Sequence, residues 1–124
     1  MSLTCIDWEV DGITVLNFSG NIALGEGTRK FRQCISETIE SGVRNILLNL
    51  AEVYYIDSSG LGEMVRAYKA VAERGGRLKL LKISQRASDL LELTKVYTLF
   101  EVFKDEATAI RSFHSETKTA DSAD

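Results

Sequence analysis

The sequence predicts a single α/β domain built on a small, mostly parallel sheet that opens with an antiparallel hairpin. Three observations carry this expectation. Two strictly alternating runs flank Asp11-Gly12, the pattern of a two-strand hairpin. Downstream, short runs of strand-forming residues alternate with segments whose apolar residues recur at three- and four-residue steps. That alternation implies parallel strands joined by crossover helices. Finally, 124 residues with 44% hydrophobic and 27% charged side chains make one ordinary soluble domain.

The elements follow in order. Cys5 to Val10 places Ile6, Trp8 and Val10 on one strand face, and this alternation assigns Trp8 a structural role. Asp-Gly then supplies the two positive-φ positions of a tight turn, and Ile13 to Phe18 continues the period of two. Gly20 to Thr28 reads as a connection. It has no lysine where a phosphate-binding loop requires one, and no third glycine for a dinucleotide fingerprint. A helix follows with Phe31, Cys34, Ile35, Thr38 and Ile39 inward, ending at Gly42. Ile46 to Leu50 forms the third strand.

A second helix is predicted from Ser59 to Arg74, with Leu61, Met64, Val65, Tyr68, Val71 and Ala72 inward. Glu63, Arg66, Lys69 and Glu73 read as its solvated face, and Gly75-Gly76 ends it. Arg77 to Ile83 is the fourth strand. Ser84 caps a third helix with Ala87, Leu90, Leu91 and Thr94 inward. Leu99 to Phe103 is a fifth strand, and Asp105 caps a last helix burying Ala109, Ile110 and Phe113. Residues 1–114 therefore form the domain. Residues 115–124 carry no large apolar side chain and are expected to be a disordered tail.

The stretch Ile56-Asp57-Ser58-Ser59-Gly60-Leu61-Gly62 organises the rest of the chain. It joins a strand to a helix and sets three capping-competent side chains before a glycine, where one would suffice. Free backbone N–H groups and the positive end of a helix dipole gather there. In open sheets, the turn at the C-terminal end of a strand is a usual place for function.

Composition narrows the chemistry. Net charge is −3 with acids and bases interspersed, whereas a nucleic-acid partner calls for a clustered basic surface. No apolar run is long enough to span a membrane, and no signal peptide is recognisable at the N-terminus. Cys5 and Cys34 fall on apolar faces and read as buried free thiols, as suits the cytoplasm. One histidine and two separated cysteines give no metal site. Neither Ser58 nor Ser59 lies in Gly-x-Ser-x-Gly, and His114 is the sole histidine that could serve as a base. The chain is therefore expected not to be an enzyme and to need no cofactor. A phospho-acceptor and docking module asks only for an exposed hydroxyl at a turn beside a charge-sensitive surface.

On these residues, Asp57-Ser58-Ser59-Gly60-Leu61-Gly62 between a strand and a helix resembles the signature of STAS domains, the anti-sigma factor antagonists. The resemblance covers about residues 4 to 113. It implies helices packed mainly on one face of a small mixed sheet. It implies Ser59 as the residue phosphorylated by a partner kinase, with Asp57, Ser58, Gly60 and Leu61 supporting it or meeting the partner. The implied partners are an anti-sigma factor with serine kinase activity and a separate serine phosphatase; binding the first frees a sigma factor. Family members commonly carry an acid in Gly-x-Leu/Ile-Asp, where Gly20-Asn21-Ile22-Ala23 here ends in alanine. The alternative is a STAS scaffold docking partners in another signalling or transporter-associated assembly, without sigma-factor control.

Overall fold

In a computed structural model that describes residues 2–123, with side chains as far as Ser115, the hairpin turn is where the alternation placed it. Asp11 and Gly12 have φ of 52° and 83°, the two positive values that a type I′ turn needs. They join β1 (Thr4–Val10) to β2 (Ile13–Ile22), followed by α1 (Glu26–Glu40), β3 (Asn45–Ile56), α2 (Ser58–Glu73), β4 (Arg77–Leu81), α3 (Gln85–Leu93), β5 (Val102–Phe103) and α4 (Glu106–Ala123). The strands lie side by side in sequence order. β1 pairs with β2 antiparallel, and every later neighbour is parallel.

Two cores sandwich this sheet. On one face Leu16, Phe18, Leu48, Leu50 and Leu80 pack with Phe31 and Ile35 of α1, Leu61 and Met64 of α2, and Leu91 of α3. On the other, Ile13, Val15, Leu47 and Leu81 meet Ala109, Ile110 and Phe113 of α4. Three helices cover one face and one covers the other, as expected. β3 and β4 are buried on both faces, which is why they read as continuous apolar runs and not as alternating ones.

Several boundaries differ from the sequence reading. β2 and β3 extend well past Phe18 and Leu50, because each supplies the other's ladder as far as Ile22↔Ile56. Register shifts after Asn17 and Gly20 let the two strands end together despite unequal lengths. α1 begins at Glu26, inside the predicted connection. β4 stops at Leu81, since Lys82 turns the chain with φ of 59°. A 3-10 turn at Val96–Thr98 shortens β5 to two residues. On α2, Ala67 takes the core position that the spacing gave to Ala72, which is exposed. The expected boundary near residue 115 and its disordered tail fall where the side chains, from residue 116 on, lie outside the described residues.

The reading of Trp8 is overturned. Trp8 is 48% exposed and its face-mate Ile6 64% exposed, although Val15, the partner of Trp8 across the hairpin, is fully buried. β1 is an edge strand, and among the described residues α4 packs mainly on β3, β4 and β5. Period-two alternation shows which residues share a face and says nothing of what lies over that face. Native Trp8 fluorescence is expected to resemble that of a solvated indole and to shift little on denaturation. A strongly blue-shifted native emission would show that the face is covered.

Candidate functional site

The turn between β3 and α2 is held by one side chain. Asp57 is extended (φ −96°, ψ −176°) and caps α2, its Oδ1 accepting the Gly60 N–H at 2.8 Å. Its Oδ2 accepts the Leu24 N–H at 3.0 Å, from the connection between β2 and α1. Its own N–H donates to the Ile22 carbonyl at 3.4 Å, and its carbonyl accepts the Leu61 N–H at 2.9 Å. Both carboxylate oxygens are thus engaged by backbone donors from two separate segments. Asp57 therefore caps α2, and this leaves both serine hydroxyls free of that duty.

Ser58 is exposed and Ser59 half-buried in the first turn of α2, while Gly60 and Leu61 are buried. The side chain of Leu61 belongs to the larger core. Gly60 has a steric reason to be glycine: a Cβ there would overlap the Ile22 backbone carbonyl. The helix start can therefore seat directly on the end of β2. The first turn of α2 carries no acidic residue. The N-terminus of α1 lies on the same connection, with Gly25 as a cap that offers no side chain. A negative group added at Ser59 would meet the positive end of a helix dipole, an arrangement that favours anions.

Around the turn stand residues that motif reasoning did not single out. Leu24 is 79% exposed beside the Asp57 carboxylate. Tyr55 is exposed two residues before Asp57, with the Arg86 guanidinium 5.4 Å from its ring centre. A leucine between two glycine-bearing turns and paired tyrosines at a strand end were the available signals. They are ambiguous until burial is known.

Glu63, expected on the solvated face, is 8% exposed. It is reached from α1 by Arg32 through Nε–Oε1 at 3.1 Å and Nη2–Oε2 at 2.5 Å. This fork locks α1 to the helix that carries Ser59. The hydrogen-bonded Arg32 guanidinium holds the Glu63 carboxyl below its ordinary value, against the opposing effect of burial. A depressed folded-state pKa contributes stability that is present above about pH 4.5 and is lost as pH falls through the folded value. Glu63→Gln is therefore expected to lower the urea midpoint more at neutral pH than at about pH 3. Equal losses at both would deny the pair its electrostatic part.

His114, the one candidate base, lies on α4 across the sheet from α2. The geometry does not join it to either serine of the turn. Among the described residues, no cluster of three metal-ligating side chains occurs, and no helix is long and apolar enough to cross a membrane.

The family model described as STAS domain matches residues 8–109. The chain is similar to the anti-sigma-B factor antagonist of Staphylococcus aureus, at 38% identity over 63 residues, 51% of this chain. That match spans 58% of the relative's length. Among solved structures, an anti-sigma factor antagonist from Mycobacterium paratuberculosis superposes with a TM-score of 0.81 at 18% identity, covering 91% of this chain and 95% of its own. The phosphorylated form of SpoIIAA, described as a Bacillus cell fate determinant, superposes with a TM-score of 0.67 at 20% identity, covering 88% and 99%. At these identities the structural likeness establishes the fold.

Proposed function

We propose that this chain, which belongs to the STAS domain family, acts as an anti-sigma factor antagonist whose switch is the hydroxyl of Ser59. In this reading the unphosphorylated protein binds an anti-sigma factor that is also a serine kinase, and so frees a sigma factor. Phosphorylation of Ser59 ends that binding, and a serine phosphatase restores the hydroxyl. The chain supplies no catalytic group of its own and works in the cytoplasm. Residues 1–114 are the working domain, with Phe113 contributing to the second core at its end.

The observation that carries this reading is the division of labour at the turn. Asp57 supplies the side-chain cap of α2, so Ser59 is presented in the first turn of the helix with no capping role. Phosphorylation adds about −1.5 to −2 charges. Within the domain, that charge lies at a helix N-terminus and is tolerated. Against a partner seated on Ser58, Leu24 and Tyr55, it is desolvated and repelled. The switch then acts through the interface, with little refolding. Ala23, in place of the family's acid, lies next to Leu24 and adds no like charge beside the Asp57 carboxylate. This alters what a cognate kinase meets at that position.

The test is phosphorylation with the serine kinase captured from the native host. ATP should add a single phosphate, and peptide mapping should place it on Ser59. A phosphate on Ser58, or undiminished labelling of Ser59→Ala, would refute the assignment.

A further inference from the structure

We propose that Cys5 and Cys34 form a redox-modifiable pair that closes into an intramolecular disulfide when the protein meets a hydroperoxide. The two sulfurs, 29 residues apart in sequence, stand 2.6 Å from each other as free thiols. A covalent bond requires them to approach by only about half an ångström. Cys5 is on β1 and Cys34 on α1, so the bond would staple the edge strand of the sheet to the helix packed over it.

Access and reactivity favour the reaction. Both thiols are half-buried and line an open groove of about 500 Å³, together with Asp7, Lys30, Gln33 and Glu37. A small peroxide can enter it. The hydrogen bond with Cys5 holds the Cys34 thiol below its ordinary pKa, although burial, Asp7 and Glu37 oppose this. The same bond holds Cys5 far above its own, helped by burial and by the Cys34 charge. The pair thus contains one thiolate-leaning sulfur and one protonated neighbour, the arrangement of an attacking and a resolving cysteine.

The chemistry balances. The Cys34 thiolate attacks one oxygen of the peroxide, the O–O bond breaks, and a sulfenic acid and hydroxide result when hydrogen peroxide is the oxidant. Cys5 sulfur then attacks Cys34 sulfur, and the sulfenic hydroxyl leaves with the Cys5 proton as water. Overall, two thiols lose two electrons and hydrogen peroxide gives two waters. A dithiol reductant reverses the bond by exchange.

The experiment treats the full chain with a small excess of hydrogen peroxide, alkylates it under denaturing conditions and measures intact mass. Expected are the loss of two hydrogens, no alkylation, and a linked peptide containing Cys5 and Cys34. The oxidised protein should remain a monomer on a non-reducing gel. Its melting temperature should rise on the order of 10 °C, since the closed loop is long, and return on reduction. Cys5→Ser should instead give a sulfenic acid at Cys34, trapped by a dimedone probe. Two alkylated cysteines after peroxide, or a disulfide-linked dimer, would overturn the proposal. The wild-type mass measurement needs no variant to fold.

Discussion

Ser59→Asp is expected to fold as the wild type does and yet to bind the proposed anti-sigma partner roughly 30-fold or more weakly than Ser59→Ala does. That ratio corresponds to about 2 kcal/mol, the lower range for leaving a charge desolvated and unpaired in an interface. The fold should survive because the new carboxylate sits in the first turn of α2, where the helix dipole favours it and where Asp57 at the cap is the one acid beside it. Ser59→Ala adds no charge and deletes no hydrogen bond on which the cap depends, since Asp57 makes that cap. Aspartate carries less charge and fewer acceptor oxygens than phosphoserine, so phosphorylation itself should have the larger effect. Titration calorimetry of both variants, with circular dichroism as the folding control, measures the difference. Equal affinities for the two variants would sink the interface switch. Ser58→Ala, at the exposed neighbouring hydroxyl, should leave binding and Ser59 labelling in place.

Gly60→Ala is expected to cost about 3 kcal/mol of stability, the upper end of what overpacking exacts. The added methyl would overlap the Ile22 backbone carbonyl, which is fixed by the β2–β3 ladder and cannot swing away as a side-chain end could. To make room, the start of α2 must move off β2. That movement strains the Gly60–Asp57 cap and the Asp57–Leu24 bond together. Gly62, two residues on, is the control: a Cβ there meets nothing within 4 Å. Alanine is also the better helix former, so Gly62→Ala should be neutral or mildly stabilising. Urea midpoints for the two variants decide the matter. Similar midpoints would mean that the α2–β2 approach is looser than the backbone indicates. In the motif, one glycine is therefore steric and the other is not, a distinction the sequence does not display.

The features legible in the sequence are those with local causes. Asp11-Gly12 fixes a turn because few residues accept positive φ twice in succession. Ser84 and Asp105 cap their helices because a short polar side chain can reach the N–H three residues on, as it does to Ala87 and Thr108. Asp57 belongs with them, and so the strand–turn–helix that holds Ser59 could be located from pattern alone. The alternation of strands and helices likewise determined the fold class, because a helix between two strands enforces a crossover.

Where residues distant in sequence meet, tertiary structure decided the outcome. The pairing of β2 with β3 carried both strands to the edge of the site, past the lengths their own propensities suggested. Glu63 reads as a surface charge along its helix, yet Arg32 of another helix makes it a buried tie. Trp8 shares an apolar strand face, yet at the edge of the sheet it is half exposed. Cys5 and Cys34 became a pair only when β1 was laid beside α1. The physical reason is common to all four. A side chain's periodicity reports its direction relative to its own backbone, while its burial, charge and reactivity depend on what another part of the chain brings against it.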